Sequence, residues 1–257
     1  MKAVNPCSDD AAFQWIRNGR EKSLAHNGPD WKGNFVSHLI PQRFEAYVKI
    51  LHRIEAKYKN IDNPLTEREN AILKIPACKK LRSFVESLRE EGQGPRIRWG
   101  TLAQLLGVPF TPEICHEWFR ASMEPGCWPR FLLGPAEGNL CAEELSEVLS
   151  LLVPFTGKQD CYFRFFQHTF LDEGKPFLFC GLLDELGAFL TEGKFQFTPE
   201  YWWPTDHRWC LCSDYDLMFT LVGGSRDLIS AMLKNAILEA LEVTPQTRID
   251  DYAPMPR

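Results

Sequence analysis

Apolar residues recur with a period of two in some stretches of the chain and with helical spacing in others. Phe44, Ala46, Val48 and Ile50 alternate with more polar neighbours. This alternation favours a strand that ends near His52. The same segment also fits one face of a helix, which is the alternative.

The last hundred residues predict five strands with two helices between them. The strands are expected at 161–166, 176–180, 209–214, 219–222 and 238–243, and the helices at 182–190 and 225–234. The first two strands are aromatic, apolar and too short for helices. This order predicts an α+β fold with a largely antiparallel sheet and helices packed on one face.

The first part of the chain predicts mainly helices. They are expected at 11–18, from Thr66 to Pro76, and at 79–91, 99–106, 111–123 and 142–153. Thr66 and Glu69 form a capping box, and Pro76 is expected to end or kink that helix. Gly107 is expected to end the helix at 99–106. Thr111, as the N-cap, and Pro112, at the first helical position, should begin the helix at 111–123.

We expect the chain to form a single α+β domain over residues 1–257. Residues 57–95 are rich in charge and predict a helical insertion into that domain. Residues 244–257 are polar and rich in proline, which predicts a mobile tail.

The overall charge argues against two classes of partner. The formal net charge is -5, so the chain lacks the basic surface of a general nucleic-acid binder or of a protein attracted to anionic lipid.

No apolar run approaches the roughly 20 residues that span a bilayer. Residues 1–10 are polar and do not resemble a secretory signal. A cytoplasmic protein is expected, in which the nine cysteines are reduced.

Candidate chemistry concentrates in residues 201–216, YWWPTDHRWCLCSDYD. His207, Cys210 and Cys212 offer soft metal ligands, but a structural zinc site needs four, and the other cysteines lack paired spacing. We therefore expect buried thiols, with no metal and no cofactor. Cys115 beside His116 lacks the signature of a cysteine hydrolase.

The aspartates of this stretch allow two interpretations. Asp214 and Asp216 would face the same way on a strand, and with Asp206 they could serve acid–base chemistry. The simpler interpretation is a strand that runs into a turn, with each aspartate bonded to nearby backbone. Similarly, Gly223 and Gly224 are interpreted as a turn and Ser225 as the N-cap of a helix.

The aromatic residues also allow two uses. Tryptophan and arginine are enriched in interface hot spots, and Trp202 stands close to Arg208. Large aromatic residues equally dominate protein cores. Complete burial of Trp202, Trp203 and Trp209 would count against a recognition surface.

The same stretch carries a resemblance to a protein family. Trp202-Trp203-Pro204-x-Asp206, Trp209, Asp216-x-x-x-Thr220-x-Val222-Gly223-Gly224-Ser225 and Leu238-Glu239-Ala240 resemble a WWPxDRxW…DxxxTxVGGS…LEA pattern. That pattern belongs to an uncharacterised bacterial family that is frequent in actinobacteria. Residues 44–52 and 98–99 resemble it too. His207 replaces the usual arginine of the pattern and Arg53 a usual proline. The resemblance implies no activity, substrate or catalytic residue.

We expect a non-catalytic protein-binding module of the immunity or regulatory type, with a partner that is basic. The binding residues expected are Trp202, Asp206, His207, Arg208 and Asp216. The alternative is a hydrolase that uses Asp206, His207, Asp214 and Asp216. A hydrolase requires these groups to converge within hydrogen-bonding reach.

Overall fold

The structure is a computed structural model. It describes residues 4–7, 10–22, 31–57, 64, 66–67, 70, 73–88, 94–123, 128–165, 177–194 and 197–256. The chain divides into two compact units. The first comprises Met1–His52 with Ala136–Arg248, and the second Arg53–Pro135 with Ile249–Arg257. Whether they act as a single domain stays a prediction.

The described strands are short and lie mostly in the first unit. They are β1 (Asn5–Cys7), β2 (Ala46–Leu51), β3 (Ile54–Ala56), β4 (Arg96–Ile97), β5 (Leu132–Leu133), β6 (Asp160–Phe165), β7 (Phe177–Leu182), β8 (Tyr201–Pro204), β9 (Cys210–Cys212), β10 (Phe219–Gly224) and β11 (Ala240–Val243). Segment 44–52, for which strand and helix both fit the sequence, is thus a strand.

The described helices are spread over both units. They are α1 (Gln14–Gly19), α2 (Val36–Leu39), α3 (Pro76–Ser87), α4 (Trp99–Leu106), α5 (His116–Ser122), α6 (Ala142–Thr156), α7 (Leu186–Phe189) and α8 (Arg226–Lys234). A 3-10 turn, Asp10–Phe13, precedes α1, and another, Leu183–Glu185, precedes α7.

Eight strands form one sheet in the first unit, in the order β1-β7-β6-β8-β9-β10-β2-β11. All described strand pairs are antiparallel. The prediction of an α+β fold with a largely antiparallel sheet and helices packed against it is confirmed. Strands β1 and β8 are absent from the sequence prediction.

One face of the sheet carries the main core. Trp202, Phe163 and Leu211 are register partners on it and are buried. Helices α6 and α8 cover this face with apolar residues spaced three or four apart. Ser225 caps α8 as expected, because its hydroxyl accepts a hydrogen bond from Leu228 N (3.3 Å).

The N-terminal segment covers the opposite face. Phe13 contacts the rings of Tyr201 and Trp203 at 5.0 and 5.7 Å between centroids. Trp15 packs edge-on against Trp203. Strand β8 is therefore buried on both faces, which explains how the adjacent Trp202 and Trp203 are both inaccessible.

Gly223 and Gly224 do not form the predicted turn. Both lie inside β10 and are buried. A Cβ atom at Gly223 would come within 2.4 Å of Phe44 Cδ2, and one at Gly224 within 2.8 Å of Leu228 Cδ2. The glycines let neighbouring side chains approach the strand closely.

The second unit contains a three-stranded sheet, in the order β4-β3-β5, and helices α3 to α5. Pro76 begins α3 where the sequence predicts a helix end, because proline suits the first turn of a helix. Helix α5 begins at His116 and not at Pro112. Gly107 ends α4 with φ of 70°, as predicted. The Thr66–Glu69 capping box lies outside the described residues.

Residues 244–256 contribute to both units, although the sequence predicts a mobile tail. Ile249 and Ala253 are buried. Arg248 forms a bridge to Phe35 in the first unit, and Ala253 O accepts a hydrogen bond from Trp118 in the second. The mobility of the tail stays a prediction.

Candidate functional site

The three tryptophans of the candidate stretch are core residues. Trp202, Trp203 and Trp209 are all 0 % exposed. Trp209 Nε1 donates a hydrogen bond to the buried Thr156 Oγ1 at 3.0 Å. Their complete burial counts against a recognition surface made of these aromatic residues, and Trp202 has no exposed surface on which to meet a partner. The tryptophans form the scaffold on which the nearby polar residues stand.

Asp206 and Arg208 lie on an exposed turn between β8 and β9, the 205–208 turn (Thr205–Arg208). Arg208 Nε donates to Asp206 Oδ2 at 2.5 Å. Gln159 fixes the turn by donating to Asp206 Oδ2 (2.9 Å) and accepting from Thr205 Oγ1 (2.7 Å). Arg208 also donates to Phe155 O. These contacts hold exposed polar groups in one arrangement.

Two effects oppose each other at the Asp206 carboxyl. Partial burial acts to raise its pKa. Hydrogen bonds from Gln159 and Arg208 outweigh that effect and hold the pKa of Asp206 below its usual value. The carboxylate is thus charged at neutral pH and unsuited to act as a general acid.

His207 stabilises the turn through its ring. The imidazole stacks on Trp15 with centroids 4.3 Å apart and planes 11° from parallel. Burial and the nearby charge of Arg43 lower the pKa of His207, and Asp206 opposes them. Its backbone has φ of 57°, the left-handed region that disfavours most side chains.

That backbone conformation makes a testable prediction at His207. Alanine and glycine both remove the stack on Trp15, but only alanine keeps the strain of the left-handed region. We expect H207G to be more stable than H207A by about 1 kcal/mol. Urea unfolding of both variants measures this difference. Alanine equal to or better than glycine would mean that residue 207 does not hold a positive φ.

Asp214 and Asp216 lie in a second turn, at the other end of β9. Asp214 Oδ1 accepts a hydrogen bond from Asp216 N at 3.0 Å, the local bonding expected of an aspartate in a turn. Burial and the charge of Asp216 raise the pKa of Asp214, while the Asp216 N–H and Arg20 act to lower it. Asp216 itself is exposed.

The structure keeps Asp214 and Asp216 in one turn and separates them from Asp206 and His207. Tyr201 pairs with Cys212 in the antiparallel β8–β9 hairpin, so the turn holding Asp206 and the turn holding Asp214 lie at opposite ends. The described hydrogen bonds of Asp206 and Asp214 share no residue. The aspartates therefore do not form a carboxylate pair across β9.

A buried ionic cluster, which the sequence does not predict, lies near the Asp214 turn. Arg164 and Glu200 form a hydrogen-bonded ion pair, with side chains 14 % and 8 % exposed. Burial raises the pKa of Glu200 to about 7, although Arg164 opposes this. Arg20 donates to Tyr201 Oη at 2.5 Å. No local motif reveals these partners, because they come from three distant segments.

A second buried network joins His52 to β10. His52 Nδ1 lies 2.6 Å from Ala136 O, so this nitrogen carries the proton and donates. Nε2 then accepts from Thr220 Oγ1 (2.9 Å), which in turn accepts from Ser213 Oγ (2.7 Å). Burial lowers the pKa of His52 to about 4. Since all three side chains are buried, this serine–threonine–histidine chain is inaccessible to a substrate.

The cysteines of the stretch are buried thiols. Cys210 and Cys212 are on the sheet face that the N-terminal segment covers, and burial raises the pKa of both. His207 pairs with Trp15 instead of with these sulfurs. Within the described part of the chain, no group of three or more His, Cys, Asp or Glu residues is arranged to hold a metal ion.

Comparisons with known proteins do not identify a family. No family model matches the chain. One curated relative, Desmoplakin-A of Danio rerio, is 27% identical over 96 residues, which is 37% of this chain and 4% of that protein. So small a share of a long protein establishes neither family nor activity. No solved structure matches. None of the helices that the structure describes has the length and apolar character to cross a membrane.

Proposed function

We propose that this chain is a non-catalytic binding protein of the immunity or regulatory type, and that the 205–208 turn contacts its protein partner. The observation that carries the proposal is the fixed geometry of that turn. Asp206 and Arg208 are exposed, yet each has two or more hydrogen bonds within the fold. Preorganised groups lose little conformational entropy on binding.

Charge supports the choice of a basic partner. The chain has a formal net charge of -5. Complementary potentials accelerate the association of an acidic protein with a basic one and disfavour acidic competitors. The opposite charges of Asp206 and Arg208 cancel locally, so the turn would add little to the attraction of a basic partner. Its residues would instead orient the bound partner. A basic toxin or regulator is the kind of partner that this charge fits.

The hydrolase alternative gains no support from the described residues. Asp206 and Asp214 belong to turns at opposite ends of β9. His207 stacks on Trp15, and the Asp206 carboxylate is held by Gln159 and Arg208. A general base or nucleophile must be within reach of its partner groups. The described hydrogen bonds of Asp206, Arg208 and Asp214 fix the two turns and join neither aspartate to a base or a nucleophile.

Site-specific photo-crosslinking tests the proposal. A photoreactive amino acid replaces Lys158, which is exposed and adjacent to Gln159, so the contacts of the turn stay intact. The matched control replaces Lys234, which is exposed on α8 of the same unit. In cells that produce the chain naturally, we expect one basic protein to crosslink at 158 and not at 234, as identified by mass spectrometry.

A charge exchange provides the second arm of this test. The double variant D206R/R208D retains an ion pair but reverses its direction, and it should lower stability by only about 1 kcal/mol, since the hydrogen bonds lost to Gln159 and Phe155 O are exposed. We expect the adduct at 158 to fall at least about tenfold, since each charge of the turn then meets the wrong group of the partner. Equal adducts at 158 and 234, or an adduct that the exchange leaves unchanged, would refute the proposed surface.

A further inference from the structure

The second unit contains a cleft of about 540 Å³ beside helix α5. One wall is formed by Glu117 and Trp118 of the helix, and the other by Asp251, Tyr252 and Met255 of the C-terminal segment. Two alanines complete the lining. The size and the aromatic lining are typical of a small ligand site.

Buried hydrogen bonds hold the two walls together. Trp118 is 3% exposed and its Nε1 donates to Ala253 O at 2.8 Å. The Cys115 thiol donates to Asp251 O, with Sγ 3.9 Å from the oxygen. These contacts join residues more than 130 positions apart. The cleft is thus a built feature of the unit and not a gap between loose segments.

The lining carries two carboxylates and no basic residue. His116 and Arg120 approach the carboxylates from outside the lining. Arg120 is hydrogen bonded to Glu117, and His116 Nε2 lies 3.0 Å from Glu117 Oε1. The other imidazole nitrogen, Nδ1, lies 3.4 Å from Asp251 Oδ1. A carboxylate offers about four acceptor positions, and a single contact of this length occupies at most one of them. Asp251 therefore retains capacity to accept from a ligand.

Aromatic surface complements this negative charge. Tyr252, which is 66 % exposed, and Trp118 both line the cleft. A cation is attracted to the face of an aromatic ring, and a carboxylate beside the ring adds a charge-assisted hydrogen bond. We infer that the cleft binds a cationic group, the ammonium of a lysine or the guanidinium of an arginine side chain presented on a polypeptide.

NMR titration of the whole chain tests this inference directly. The probes are N-acetyl-arginine amide and N-acetyl-lysine amide, and the readout is the indole N–H signal of Trp118, assigned with W118F. The neutral controls are N-acetyl-citrulline amide and N-acetyl-norleucine amide, which have nearly the same shape. We expect a saturable shift with at least one cation and none with either neutral compound.

Two variants and one control locate the binding. D251N should weaken the affinity for the cation about tenfold, and Y252A about threefold, because they remove the charge-assisted hydrogen bond and the ring. The control F110A removes another exposed aromatic residue of the same unit and should have no effect. Two results would overturn the inference. One is that the neutral compounds bind as tightly as the cations, and the other is that no saturable shift occurs up to about 10 mM, a limit near the weakest specific affinities. The 205–208 turn is on the other unit, so its proposed role is unaffected by either result.

Discussion

Replacing Trp202 with alanine is expected to lower the free energy of unfolding by about 3–5 kcal/mol, the range for truncation of a large buried aromatic side chain. Trp202 is 0 % exposed on the core face of the sheet, where Phe163 and Leu211 are its register partners. Removing the indole leaves a cavity. Because β8 is packed on both faces, its neighbours cannot move enough to fill that cavity. Urea unfolding followed by far-UV circular dichroism measures the loss.

Two further variants make the result decisive. W202F keeps a ring in the site and loses no hydrogen bond made within the described residues, so it should be clearly more stable than W202A. V153A changes an exposed apolar residue of the same unit and should stay within about 0.5 kcal/mol of the natural chain. If W202A also stays within about 1 kcal/mol, the indole cannot be a core residue, and Trp202 returns to the list of surface candidates.

The strands that the sequence predicts well are those with a polar and an apolar face or a uniform apolar run. Strand β8 escapes prediction for a physical reason. Tyr201, Trp202, Trp203 and Pro204 are all buried, because α6 and α8 cover one side of the sheet and the N-terminal segment covers the other. A proline within so short a run also weakens the strand signal, whereas the longer β10 is predicted although it is buried throughout as well. The sequence predicts a turn at Gly223 and Gly224 because glycine is typical of turns. In β10 they instead allow neighbouring side chains to approach the strand closely.

The candidate site was predictable only where its contacts are local. The bond from Asp216 N to Asp214 and the cap at Ser225 follow from residue type and spacing. The contacts that fix the proposed surface and the buried ion pair are distant in sequence: Gln159 to Asp206, Trp15 to His207, and Arg164 to Glu200. Sequence proximity grouped Asp206 with the Asp214 and Asp216 pair, but the β8–β9 hairpin places Asp206 at the opposite end.

The second large effect is expected at the buried ion pair. R164M leaves the Glu200 carboxyl buried without its cation, and above pH 7 this should lower the free energy of unfolding by about 3–5 kcal/mol. The double variant R164M/E200L removes both charges and should recover most of that loss. A double variant no more stable than R164M would mean that the lost packing of Arg164 against Phe13, and not the unpaired charge, causes the effect.

The pH dependence of stability distinguishes Glu200 from other groups. Its pKa in the folded chain is about 7, above the ordinary 4.5, so its contribution is fully present below pH 4.5 and is lost as the pH rises through 7. The buried His52, with a pKa lowered to about 4, acts in the opposite direction: its contribution is present above its ordinary pKa of 6.5 and is lost as the pH falls through 4. The two slopes oppose each other between pH 4.5 and 6.5.

Replacing Glu200 with glutamine removes the stability that this carboxyl group adds at low pH. The loss of stability that His52 causes at low pH should then no longer be offset. We expect the natural chain to gain stability relative to E200Q as the pH falls from 8 to 5, by on the order of 3 kcal/mol, because each pKa unit corresponds to about 1.4 kcal/mol. Urea unfolding of both chains across this range gives the difference directly. A difference that does not change with pH would show that Glu200 keeps one protonation state throughout. The Arg164 pair would then hold the carboxylate charged, and the ionic cluster would be a fixed part of the sheet face.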